Sequence, residues 1–198
     1  PRSPAPVAGG NVETSQRLVD VALAALAQAA PDRVPAASAG TMSNLSLGGV
    51  TDQGTEFTSY ETLPGGAGAG PVARGQSAIQ THMTNTRNTP IEEFEHRYPV
   101  RVRKLSVRRG SGGRGARAGG DGLEKAIEAL QPMQVSFLGE RHEQGPPGAK
   151  GGQSGRPARL WLQRGGKRQR MPSKSTFFLQ PGEVVIVETP GGGGHGSA

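Results

Sequence analysis

The sequence predicts an α+β chain, with one N-terminal amphipathic helix followed by a glycine-rich, mostly β C-terminal half. Three observations carry that expectation. Apolar residues recur at helical spacing in one long stretch only, near the N-terminus. Short alternating runs bounded by glycine and proline fill much of the remainder. Glycine supplies 32 of the 198 residues and proline 16, with no G-X-Y period, which excludes a collagen-like chain.

The helix spans Asn11 to Ala30. Asn11 is placed to act as N-cap, and Glu13 suits the positive end of the helix. Leu18, Ala22, Leu26 and Ala29 share a face flanked by Val19 and Leu23, and Pro31 stops the helix. The alanines allow that face to lie close against another surface. Met42, Leu45 and Leu47 then alternate with small polar residues, which predicts a short strand ending at Gly48-Gly49. EFTSYETL, with Phe57, Thr58, Tyr60 and Thr62, predicts a second strand, and PGGAGAGP reads as a flexible loop, hinge or lid between Pro64 and Pro71.

Pro90 followed by Glu92, Glu93 and Glu95 has the form of a helical first turn, with Thr89 near the N-cap. Tyr98 to Arg109 predicts a strand. Val100 and Val102 share one parity and Leu105 and Val107 the other, so a β-bulge is expected near Arg103-Lys104. Gly110 to Gly122 reads as a glycine loop, and Leu123 to Leu130 as a short helix or a strand. Val135 to Leu138 and Arg159 to Gln163 predict strands separated by the loop GPPGAKGGQSG. Ser175 to Leu179 and Val184 to Glu188 are expected to pair across the Pro181-Gly182 turn. The tail TPGGGGHGSA is expected to be mobile at its end.

Hydrophobic residues make up 33% and aromatics 4% of the chain, low for a compact globule, so part of its burial is expected to come from neighbours. The missing cysteine excludes disulfides and thiolate metal sites and fits a cytoplasmic setting. No run approaches the ~18 apolar residues of a membrane span. The opening PRSPAPVAGG, without methionine or signal-peptide core, reads as the start of a fragment or a processed product. The net charge of +7 is the mark of an arginine-rich surface. Nucleic acid is not the expected partner, because the basic stretches 101–117 and 156–170 hold a single aromatic, Trp161, and lack the interleaved aromatics of a stacking surface.

GSGGRG at Gly110 to Gly115 matches G-x-G-x-x-G formally, but ARAGGDG follows where a dinucleotide loop needs a helix. PGGAGAGP lacks the Lys-Ser or Lys-Thr of a Walker loop. The four histidines are dispersed, with neither H-x-H nor HExxH, so no complete metal site is expected within the chain. Glu140-Arg141 reads as an ion pair or a loop anchor. The polar loop HMTNTRNTP is the densest cluster of side chains with chemistry. His82 is either a structural histidine or a site residue, and Asn85, Thr86, Arg87 and Asn88 together suit an amide or carboxylate ligand.

The phrases GGNVETSQRLVDVALAALAQAAPDRVPAASAGTMSNLSLGG, YETLPGGAGAGP, THMTNTRNTPIEEFEHRYPVRV, RRGSGGRGARAGGDG, ERHEQGPPGAKGG and PSKSTFFLQPGEVVIVETPGGGGHG resemble, in order and over nearly the whole chain, the C-terminal portion of the hydantoinase B/5-oxoprolinase family. The resemblance implies ATP-dependent opening of cyclic amides such as 5-oxoproline, hydantoins or lactams. It also implies an A-type partner subunit that binds Mg-ATP, and a divalent metal held by an N-terminal half of the B portion that these 198 residues do not include. The chain would then be the C-terminal part of a larger domain, binding no cofactor by itself. His82 and Arg87 are the expected catalytic residues, and Tyr60, Glu61, Asn85 and Thr86 the expected substrate-binding residues. A related ATP-dependent ketone carboxylase and a non-catalytic basic binding module are the alternatives.

Overall fold

A computed structural model of the chain describes residues 13–197. Among them are two helices and nine strands: α1 (Glu13–Ala29), β1 (Asn44–Val50), β2 (Glu56–Thr62), α2 (Ile91–Arg97), β3 (Val100–Arg108), β4 (Gly122–Ala129), β5 (Met133–Leu138), β6 (Arg159–Arg164), β7 (Lys167–Met171), β8 (Lys174–Leu179) and β9 (Val184–Glu188). They form two antiparallel sheets, ordered β2-β1-β5-β8 and β3-β4-β9-β6-β7. No helix among the described residues is long and apolar enough to cross a membrane.

One apolar cluster joins the inner faces of both sheets. Leu45, Leu47, Val135 and Phe137 come from the first sheet, Ile127, Leu160 and Val185 from the second, and Phe94 from α2. Strands with one face in the core alternate: Leu160 and Leu162 of β6 are buried, while Trp161 between them is only half-buried; the central β4 and β9 are instead buried nearly throughout. The expected bulge in β3 is a register shift between Val102 and Lys104, which lets Leu105 and Val107 take the parity opposite to Val100.

Of the two readings of the stretch from Leu123, the strand is the one formed: β4, held between β3 and β9. Other expectations are corrected. β8 and β9 do not pair: β8 bonds β5 and β9 bonds β4 and β6, so the Pro181-Gly182 turn carries the chain from one sheet to the other. Strand β7, KRQRM, has no apolar alternation to announce it, and its exposed charges protect a sheet edge. Pro90 rather than Thr89 is the N-cap of α2, with no side-chain capping bond. Asn11 lies outside the described residues.

The glycine segments are packed structure rather than loops. Thr189 to His195 is buried, against the mobility expected of the tail, and most of PGGAGAGP is likewise at least half-buried. Gly191 and Gly194 donate to Arg156 and Gln153 (3.2 and 2.9 Å), while Gly192 and His195 donate to Gly120 and Arg117 (2.8 and 2.9 Å). Residues three apart thus return to the same neighbouring segment, the pattern of an extended helix with three residues per turn and all its hydrogen bonds external. Gly193 turns a third way, to Ala37 (2.8 Å). Surrounded like this, the segment has no room for side chains: a Cβ on Gly192 would stand 2.0 Å from the Ala67 carbonyl oxygen, and one on Gly193 2.1 Å from that of Pro147.

Candidate functional site

Helix α1 lies opposite to its hydropathy. Leu18, Val21 and Leu26 are 64%, 64% and 57% exposed, whereas Glu13 and Gln16 are buried. With Asp20, these polar residues lie three and four apart and so share one face. They meet a seam built by residues 41–44 and 81–84. Glu13 Oε1 accepts from the Thr41 hydroxyl (2.6 Å), the Met42 N–H (3.2 Å) and Asn44 Nδ2 (3.3 Å). Gln16 Nε2 donates to Thr84 Oγ1 (2.6 Å) and the Thr81 carbonyl (3.1 Å). Glu13 Oε2 and Gln16 Oε1 are buried and have no hydrogen-bond partner among the described residues. Burial pushes the Glu13 carboxyl above its ordinary range, and the Thr41 hydroxyl and Met42 N–H offset this only in part.

Asp20 is the hub. Its Oδ1 lies 2.9 Å from His82 Nε2, and its Oδ2 accepts from Arg17 Nη1 (2.6 Å) and Arg141 Nη2 (2.8 Å). Burial alone would raise this carboxyl, but His82, Arg141 and Arg17 outweigh it and hold it below the usual range. Facing a carboxylate, His82 carries its proton on Nε2 and, when neutral, leaves Nδ1 as an acceptor. His82 sits at φ 60°, uncommon for a residue with a Cβ and frequent at functional sites.

The expected site residues fall into three groups. His82 and Thr86 are tied down, the latter through its hydroxyl to that of Thr62 at 2.5 Å. Tyr60 is 54% exposed, and its hydroxyl donates to Asn44 Oδ1 (2.5 Å); burial first and then the Glu13 charge raise its pKa. Asn85 and Arg87 are exposed. Glu61 points the other way, into the core: it pairs with the buried Lys125 and accepts from the Thr89 N–H (2.9 Å), while Lys125 Nζ lies 4.6 Å from the centre of the Phe94 ring. Glu140 and Arg141 do not pair with each other: Glu140 bonds Lys174 (2.8 Å) and Arg141 bonds Asp20. Sequence reasoning missed Gln16 and Asp20, read Arg141 only as part of an ion pair or loop anchor, and assigned Glu13 only to helix polarity. The available signal was the spacing of Glu13, Gln16 and Asp20, as helical as that of the leucines.

On the far side of Asp20, Arg17, Arg141, His142 and Lys174 line a cavity of about 380 Å³. A larger hollow of about 650 Å³ lies over Gly48, bordered by Phe57 and Phe178, with Glu56 as its one charged residue. Among the described residues no three His, Asp or Glu side chains converge to hold a metal ion, so the divalent metal implied by the resemblance finds no ligand set in them.

The family model described as hydantoinase B/oxoprolinase matches residues 1–198. The 5-oxoprolinase 1 of Arabidopsis thaliana is 45% identical over 198 residues, covering 100% of this chain and 15% of the relative. The chain therefore spans about a seventh of that relative's length. The crystal structure of the ATP-dependent caprolactamase from Pseudomonas jessenii superposes with a TM-score of 0.76 at 27% identity, over 88% of this chain and 32% of that one. A nucleotide-free acetone carboxylase structure shares the fold with a TM-score of 0.69 at 20% identity, over 82% of this chain and 26% of that one.

Proposed function

Because the chain belongs to the hydantoinase B/oxoprolinase family, we propose that it forms part of the B component of an ATP-dependent enzyme that opens cyclic amides. In this reading it shapes the substrate site beside an A-type partner. The Asp20–His82 contact at 2.9 Å carries the reading at the level of residues. A carboxylate that orients an imidazole at the edge of a polar loop is the pairing that general-base catalysis requires.

Arg87 and Asn85, both exposed, bind the ring carbonyl through N–H donors. As a water oxygen attacks the carbonyl carbon, His82 takes the water proton at Nδ1, and Asp20 stabilises the imidazolium that forms. When the ring C–N bond then breaks, the imidazolium returns that proton to the departing ring nitrogen, and the carbonyl carbon leaves as the carboxylic acid. Tyr60 flanks the site through its bond to Asn44. Thr86 and Glu61 support the loop from beneath, by way of Thr62 and the Thr89 N–H. Mg-ATP is assigned to the A-type partner, and the divalent metal to residues outside this chain. The lack of cysteine supports a cytoplasmic setting.

The test is ATP hydrolysis coupled to ring opening in the complete assembly, with 5-oxoproline, hydantoin and caprolactam as substrates. His82→Ala is expected to lower kcat by about 10²–10⁴-fold, the range of a lost general base. Arg87→Ala is expected to lower kcat/KM. Unchanged kinetics in both variants would remove the site assignment, and ATP turnover that requires a ketone and bicarbonate would replace hydrolysis with carboxylation.

A further inference from the structure

The outer face of the five-stranded sheet carries more positive charge than its own ion pairs balance. Because Leu160, Leu162, Ile127 and Val185 belong to the core, the residues alternating with them point outwards. Register places Trp161 between Arg170 and Ile186, and Glu188 between Arg159 and Glu124. Each carboxylate on this face has a cation of its own: Glu128 bonds Arg103 (2.9 Å), Glu124 bonds Lys104 (2.6 Å) and Glu188 bonds Arg108 (2.9 Å). Arg101, Arg159, Arg168 and Arg170 are exposed and have no carboxylate partner among the described residues. Those four exceed half of the net charge of +7. Neutral acceptors hold two of them in place: Arg168 Nε donates to Gln163 Oε1 (3.2 Å) and Arg170 Nη2 to the His142 carbonyl (2.8 Å). Arg159 lies 6.0 Å from the centre of the Trp161 ring, whose Nε1 is buried without a hydrogen-bond partner among the described residues. Charges on β7 protect a sheet edge, but edge protection does not account for Arg159 and Trp161, which lie on β6 between β9 and β7.

Three of these arginines stand in a line. Arg168 and Arg170 are two residues apart on β7, a step of about 7 Å. Arg159, one residue before the Leu160 that pairs with Met171, continues the line by a similar step on the neighbouring strand. Residues four apart on an α-helix are separated by about 6 Å along its axis and share a face. We propose that this sheet face docks an acidic helix of a partner protein, whose carboxylates at i, i+4 and i+8 meet Arg168, Arg170 and Arg159 in turn. Guanidinium groups take carboxylates through paired N–H donors, and tryptophan and arginine are the residues that dominate protein interfaces. A nucleic-acid strand fits less well. Glu188 and Glu124 lie in the same row as Arg159 and would face its phosphates, and one half-buried indole offers no series of stacking surfaces. Arg168 and Arg170 bond neither Asp20 nor His82, so the docking face does not depend on the cyclic-amide reading.

The experiment is a titration of the full-length protein at low salt, followed by the fluorescence anisotropy of three labelled probes. Two are alanine-based helical peptides of identical composition, one with glutamates at every fourth residue along one face and one with them spread around the helix. The third is a single-stranded oligothymidine. The one-faced peptide is expected to bind at least about tenfold more tightly than either other probe. Arg168→Glu with Arg170→Glu is expected to weaken it about ten- to a hundredfold, and the milder Arg168→Gln with Arg170→Gln about three- to tenfold. Arg33→Glu with Arg74→Glu makes the same change in net charge at exposed sites elsewhere, and should cost less than about threefold. All four positions are exposed, and the glutamine pair still decides the matter if the glutamate pair fails to fold. No binding of the one-faced peptide, or equal affinity for the two peptides, overturns the proposal. Equal losses in the control pair overturn it as well, because overall charge would then be the whole effect. So does oligothymidine binding that is tighter than peptide binding and is lost with Arg168 and Arg170, which would make the face a nucleic-acid surface.

Discussion

Replacing Gly192 by alanine tests whether the glycine segments are packed structure. The added Cβ would meet the Ala67 carbonyl oxygen at 2.0 Å and its carbon at 2.3 Å, against an ordinary contact of about 3.5–4.0 Å. Neither is the end of a flexible side chain, so backbone must move. Movement breaks the bonds from Gly192 N–H to Gly120 and from Gly113 N–H to the Gly192 carbonyl, both 2.8 Å. Two backbone hydrogen bonds are worth about 1 kcal/mol each, and overpacking adds roughly 1–3 kcal/mol. The lower entropy of unfolded alanine returns about 0.4–1 kcal/mol. The expected net loss is about 2–4 kcal/mol, a large share of a typical stability of roughly 5–15 kcal/mol. Urea denaturation followed by circular dichroism measures it, with Gly48→Ala as control. That glycine lies in β1, and its nearest Cβ contact would be 3.4 Å, so the change should stay below about 1 kcal/mol. If the two variants lose stability equally, residues 190–196 are not the enclosed axis described above.

Two further outcomes follow from buried charge. Glu61→Gln leaves Lys125 without its carboxylate partner in the core, and urea denaturation should show a loss of about 3–5 kcal/mol, much of it recovered in the Glu61→Leu, Lys125→Met double variant. A double variant no better than the single one would mean that the pair carries little of that cost. His142 is the second case. Burial, with Arg170 nearby and only partly offset by Glu140, lowers its pKa from 6.5 to about 4. Above pH 6.5 it is neutral folded or unfolded. As the pH falls the unfolded chain takes up the proton first, so stability is lost progressively between pH 6.5 and about 4, by an amount on the order of 3 kcal/mol. His142→Phe should remove this component of the pH dependence, and an unchanged slope in thermal melts across that window would refute it.

The strands were legible because half-buried strands write their burial into alternation, and the β3 bulge showed as a change of parity at Arg103-Lys104. β7 was illegible because KRQRM pairs at a sheet edge with little apolar burial. The glycine segments were misread for a different reason. Hydropathy measures side chains, and a segment buried through its backbone has none to measure, so TPGGGGHG looks the same whether mobile or enclosed. The period that organises it, Gly191 with Gly194 and Gly192 with His195, exists in hydrogen-bond direction and not in residue type.

Helix α1 shows why the site was harder to find than the fold. It carries two stripes that each keep to one side of the helix: Leu18, Val21 and Leu26 on one, Glu13, Gln16 and Asp20 on the other. Burying three aliphatic side chains is worth roughly 1.5–3 kcal/mol each. Hydrogen bonds to charged groups are worth about 1.5–3 kcal/mol each, and Glu13 and Asp20 make six between them to Thr41, Met42, Asn44, His82, Arg17 and Arg141, less the cost of desolvating two carboxylates. The two sums are comparable, so no property of the helix alone chooses its inward face. Partners 62 and 121 residues further along decide it for Asp20 in particular: Arg17 apart, its bonds go to His82 and Arg141. Had the leucine stripe turned inward, Asp20 would have faced solvent and His82 would have had no carboxylate to orient it. The orientation that leaves Leu18, Val21 and Leu26 exposed is therefore the one that assembles the dyad and the cavity behind it.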